Sequence, residues 1–100
     1  MSYEIPNHDK DISVKAIVDC LEDNKAENIS VISLKGKAEF AAFMVVASAR
    51  SNKHVDAVSN KVYRDLKKHK LYCNKPEGKP LCDWTVIDAG HVLVHIFRNE

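Results

Sequence analysis

The amino-acid sequence predicts an α/β or α+β domain, a mixed β-sheet of about five strands with helices packed on it. Three observations carry this expectation. Two segments place apolar residues at helical spacing, two short apolar or β-branched runs lie between them, and the C-terminal part holds two strand-like runs joined by Asp88-Ala89-Gly90-His91. The order is αββα followed by two or three strands, without internal repeats. One hundred residues, 45% of them apolar, can close one core but not two, so residues 9–100 read as a single domain.

Residues 1–8 (MSYEIPNH) carry a proline and no periodicity, and read as a flexible leader. Asp9 or Asp11 then caps a first helix in which Val14, Ile17, Val18 and Leu21 recur on one face, ending near Asn24. Residues 29–34 (ISVISL), bounded by Asn28 and by Lys35-Gly36-Lys37, fit a strand. Residues 43–48 (FMVVAS) form a continuous apolar run, the pattern of a strand covered on both faces.

Ser51 or Asn52 caps a long second helix that buries Val55, Val58, Val62 and Leu66 and turns Lys61, Arg64, Lys67 and Lys68 outward. Leu71-Tyr72-Cys73 reads as a short strand, and residues 74–80 as a polar loop. Residues 84–87 and 92–97 then pair as an antiparallel hairpin, because Asp and Ala in the right-handed region followed by Gly in the left-handed one make a bulged turn.

Fifteen basic residues nearly cancel fourteen acidic ones, giving a net charge of +1, so overall charge does not point to non-specific binding of nucleic acid or anionic membrane. The longest apolar runs fall well short of the roughly 20 residues that span a bilayer. Three cysteines at uneven spacing, without a signal-like start, support neither a disulfide framework nor secretion, and suggest a reducing, cytoplasmic setting.

Cys73, Cys82, His91 and His95 lack the close pairs that zinc sites use, and on one strand His91 and His95 would stand about 13 Å apart. No metal is expected. Cys20, Cys73 and Cys82 lack a nucleophile motif and read as small buried residues. Asp9-Lys10-Asp11 sits where a helix starts and reads as capping rather than a magnesium clamp, and the three glycines form no phosphate loop. Lys53, Lys61, Arg64, Lys67, Lys68 and Lys70 crowd one helix without an aromatic series, so a solvated face comes before an RNA contact. Trp84, the sole tryptophan, follows Asp83 and a loop carrying Glu77; it is either core or an aromatic anchor for a partner.

Four motifs in order resemble the ribosomal silencing factor, or Iojap-like, family over residues 26–97. They are NISVISLKGK, FMVVASARSNKHV, the dipeptide Glu77-Gly78 six residues before Trp84, and DWTVIDAGHVLVHIF. The chain departs from the family pattern at Ala42, Ala49, Lys53 and His91. Members also continue past the last strand into a segment rich in Arg, Tyr, Leu and Trp, which marks this chain as a divergent or C-terminally shortened member. The resemblance implies a nucleotidyltransferase-like fold without its metal-binding carboxylates and no cofactor. It also implies a non-enzymatic repressor that binds the large ribosomal subunit through ribosomal protein fourteen and blocks subunit joining. Glu77, Trp84, Asp88 and His54 match motif positions and would contact that partner, and Pro76 and Asp83 join them by proximity. A homodimer through an exposed sheet edge is a further expectation. The alternative reading is a nucleotide-binding or nucleotidyltransferase-like enzyme on the same fold.

Overall fold

The computed structural model describes residues 11–34, 36, 41–78 and 83–99. The leader, Asp9 and Cys82 lie outside them. Helix α1 spans Ile12–Asp23. Asp11 is its N-cap, with Oδ1 accepting from the Val14 N–H at 3.1 Å. Helix α2 spans Asn52–Lys68, capped by Ser51, whose Oγ accepts from the His54 N–H at 3.1 Å. Both ends follow the same physics. Lys25 (φ 64°) and Lys70 (φ 61°) sit in the left-handed region just past each helix. There the Ala26 N–H reaches back to Leu21 O at 2.9 Å and the Leu71 N–H to Leu66 O at 2.8 Å, which satisfies carbonyls the helices leave open.

The strands are β1 (Glu27–Ser33), β2 (Phe43–Ala49), β3 (Glu77–Gly78), β4 (Trp84–Asp88) and β5 (Val92–Arg98). They are ordered β1-β2-β5-β4-β3, with four strands of five to seven residues and β3 adding a two-residue rung at one edge. Among the described strands only the β2 and β5 pair is parallel, in register from Phe43 opposite Val92 to Ala49 opposite Arg98. A bulge interrupts β1 between Glu27 and Ser30, where Asn28 takes φ 55° and its Nδ2 donates to Ser48 Oγ at 3.0 Å.

Both helices pack on one face of this sheet. Val14, Ile17 and Leu21 of α1 and Val55, Val58, Val62 and Leu66 of α2 meet Val31, Val45, Ala47, Val94, Ile96 and Ile87, all of them buried. Ser59 and Thr85, also buried, share their hydroxyls at 2.5 Å, and Ser59 donates to Val55 O at 2.7 Å. Thr85 is therefore the donor of the pair, which leaves no buried hydroxyl proton without an acceptor.

Two expectations change. Residues 71–73 are not a strand; the edge pairing falls instead on Glu77 and Gly78, opposite Val86 and Thr85. Cys73 is nevertheless buried, held from behind by the Asn74 N–H on Asp88 O at 2.9 Å. In β2 only Val45, Ala47, Ala49 and Ser48 are buried while Met44 and Val46 are half-exposed, so the apolar run is not covered on both faces by the described residues. His91 lies in the hairpin turn before β5, where the sequence places it, with Nε2 2.6 Å from Asp11 Oδ2.

Candidate partner-binding face

Alternation along each strand, combined with register across strands, fixes which side chains share the sheet face away from the helices. Three rows result. One runs Ile32, Met44, Leu93, Asp88; the next Ser30, Val46, His95, Val86, Glu77; the last Ser48, Phe97, Trp84. Apolar residues flank His95 at the centre of this face, and carboxylates lie on its β3 and β4 side. Trp84 (39% exposed), Phe97 (43%) and Ile32 (39%) are among the large hydrophobic residues most open to solvent. Trp84 and Phe97 are direct cross-strand partners, so two aromatic rings stand together at one corner. Ser48 is the exception in being buried, because the β1 bulge folds over it and its Oγ donates to Glu27 O at 3.2 Å.

The residues singled out from sequence divide between this face and elsewhere. Trp84, Glu77 and Asp88 come together on it, with half-buried Pro76 beside Glu77. Asp88 also shapes the hairpin, since its Oδ1 accepts from the Gly90 N–H at 3.0 Å. Asp83 does not join them. Its Oδ1 lies 3.5 Å from Arg98 Nε, and Arg98 alternates with Phe97 toward the other side. His54 lies on the first turn of α2 and both ring nitrogens are engaged within the protein. Nδ1 accepts from the Arg50 N–H at 3.0 Å, so the ring proton is on Nε2, which donates to Asn24 O at 2.8 Å. It thereby ties α2 to the end of α1 beside an open groove of about 280 Å³ lined by Asn24, Lys25, Arg50 and Ser51.

Ile32, Met44, Val46, Leu93, His95 and Phe97 were not singled out from sequence. The signal was present in VLVHIF, where Leu93, His95 and Phe97 alternate with Val92, Val94 and Ile96, but only the cross-strand register shows which set meets the helices. Among the described residues, Cys20 and Cys73 offer no nucleophile. Burial, reinforced by the Asp65 carboxylate, pushes Cys20 up to about 12, and burial pushes Cys73 up to about 11. Among the described residues no three His, Cys, Asp or Glu side chains converge as a metal site, and no helix is long and apolar enough to cross a membrane.

The molecule is thus, as a class, a two-layer α+β domain that offers a largely apolar sheet face with carboxylates along its β3 and β4 side. Comparison with known proteins identifies the class more closely. Residues 6–100 match the family model described as ribosomal silencing factor during starvation, and the chain belongs to that family. It is 39% identical over 92 residues to a ribosomal silencing factor of Zymomonas mobilis, covering 92% of this chain and 69% of that one. It is 36% identical over 78 residues to the chloroplastic protein Iojap of Zea mays, covering 76% and 33%. A crystal structure of a Chromobacterium violaceum protein superposes with a TM-score of 0.82 at 30% identity, covering 86% of this chain and 72% of that one. Members of the family are ribosome silencing factors rather than enzymes, and their association with the ribosome serves to silence translation.

Proposed function

We propose that this chain binds the large ribosomal subunit through ribosomal protein fourteen, using the sheet face, and blocks joining of the small subunit. The observation that carries the reading is the pairing of Trp84 with Phe97 on an apolar face whose border holds Glu77 and Asp88. Such a face supplies a desolvated aromatic anchor, and its carboxylates suit basic side chains of a ribosomal protein. Repression then needs no chemistry. A folded domain seated where the other subunit docks makes the two binding events mutually exclusive.

The dimensions set a condition on the partner. Trp84 to Asp88 spans about 13 Å along β4, and the width from β1 to β3 is about 19 Å, so the face projects roughly 250 Å². A stable interface buries about 800 Å² on each partner, so the ribosomal protein must also reach the rim around Pro76, Glu77 and Asp83. His54 acts in this reading by positioning the Arg50 turn. The same face would serve a second copy of the chain, making a homodimer a competitor of ribosome binding. We also propose a cytoplasmic site of action and a nucleotidyltransferase-like sheet topology put to non-catalytic use.

Pelleting with purified large subunits tests the reading. The parent protein is expected to co-sediment, and Trp84→Ala and Glu77→Lys to weaken it. A parent that stays in the supernatant at low and moderate salt refutes it. The enzyme alternative predicts heat on titration with a nucleoside triphosphate and magnesium; no residue of the sheet face favours it.

A further inference from the structure

The outward side of α2 carries a feature that the sheet face does not use. At 3.6 residues per turn, Lys53, Lys61, Arg64, Lys67 and Lys68 fall within about one third of the helix circumference, centred opposite Val55, Val58, Val62 and Leu66. All five basic side chains are exposed, and Lys67 lies over the Tyr63 ring at 6.0 Å. Asp56 and Asp65 lie on the flanks of this stripe, outside it. Between Asn52 and Lys70 six cations face two carboxylates, a surplus of four in a chain of net charge +1, so the remainder carries −3. The near-neutral total therefore hides a strongly basic helix. From Lys53 to Lys68 the stripe runs straight for about 22 Å.

We propose that this stripe binds the phosphate backbone of double-helical RNA. A row of cations on a rigid rod matches a regular row of phosphates, and needs neither a pocket nor base contacts. A lipid surface fits poorly: the apolar side of α2 is spent in the core, so nothing remains to insert between lipids. An acidic peptide would want apolar anchors between the charges, and only Ala57 and Asn60 stand there. The choice of RNA over other polyanions rests on the ribosomal reading above. Because α2 packs over β4, β2 and β5 from the side opposite the open face, both surfaces can be occupied at once.

The test is fluorescence anisotropy of the full chain with a labelled RNA duplex longer than the stripe. If three or four phosphates are neutralised, affinity falls about 40- to 150-fold between 50 and 200 mM salt. The triple variant Lys61→Gln, Arg64→Gln, Lys68→Gln, all at exposed helix positions, is expected to remove most of that affinity and flatten the salt dependence. A matched triple, Lys15→Gln, Lys25→Gln, Lys75→Gln, and Trp84→Ala are expected to bind as the parent does. No binding by the parent at 50 mM salt, or equal losses in the two triples, overturns the proposal. So does tighter binding to anionic vesicles or to a DNA duplex than to RNA. Subunit pelleting run alongside separates the two readings. Pelleting without duplex binding removes the stripe alone, whereas duplex binding lost only in the stripe variant, without pelleting, removes the ribosomal reading and leaves the stripe's chemistry standing.

Discussion

Trp84→Ala isolates the contribution of the aromatic corner. A tryptophan presents up to about 250 Å² of surface, and Trp84 leaves 39% of its surface in water, so roughly 100 Å² remains for a partner to cover. At about 25 cal/mol per Å², complete coverage is worth about 2.5 kcal/mol, or roughly 60-fold in affinity. The buried share already packs within the sheet, where Phe97 stands opposite, so truncation also weakens the fold, by about 1 to 2 kcal/mol for a half-exposed aromatic pair. The two effects separate by experiment. Affinity for large subunits is measured by titration at a temperature where circular dichroism shows parent and variant equally folded. Trp84→Phe, which keeps the ring pair but less surface, is expected between them. A folded Trp84→Ala that binds within twofold of the parent would refute the argument that this corner is the anchor.

Four further outcomes follow from the interior and the turns. Ser59→Ala leaves the buried Thr85 hydroxyl without its acceptor and is expected to cost about 1 to 3 kcal/mol in urea unfolding, with Ser59→Ala/Thr85→Val costing less than the sum of the single changes. Lys25→Gly and Lys70→Gly relieve left-handed backbone and should each raise stability by about 0.5 to 1 kcal/mol, read as a higher melting temperature. Gly90→Ala works the other way, since φ is +77° and a new Cβ would sit 3.4 Å from the Tyr72 ring; a loss of about 1 to 2 kcal/mol is expected. Burial raises both Cys20 and Cys73 above their ordinary value of 9, so the native state holds thiol protons that the unfolded chain releases first. Stability is complete below pH 9 and falls between pH 9 and about 11 to 12, by up to about 1.4 kcal/mol per pH unit for each thiol. Alkaline unfolding of Cys20→Ala and Cys73→Ala variants checks the sign.

What was legible in the sequence was local. Asp11 and Ser51 announce helix starts by side-chain oxygens that reach the next turn, and Gly90 announces a hairpin by a backbone angle that other residues avoid. Those signals need no knowledge of distant residues. The sheet order does, because β5 enters between β2 and β4, and nothing near Val92 specifies a parallel neighbour forty-nine positions earlier. The same cause explains the misread β2 run: Met44 and Val46 are as apolar as Val45 and Ala47, and only register puts them on the open side. For the candidate face, motif matching named Trp84, Glu77, Asp88 and His54, and proximity added Pro76 and Asp83; register puts the first three on one face but not His54 or Asp83. The fold gives those two internal partners, Asn24 and the Arg50 backbone for one and Arg98 for the other.

The central position of β5 also governs when the molecule can exist. Its neighbours are β2 on one side and β4 on the other, so the sheet stays in two unconnected pieces until the residues up to Arg98 are available. Each piece alone exposes the edge that β5 will fill, and closing it requires contacts between the ends of a long loop, which slows folding. During synthesis the N-terminal helix and the β1 and β2 hairpin can form early, yet the surface with Trp84 and Phe97 assembles last. A partner that reads this face can engage the chain only once β5 has been made and paired.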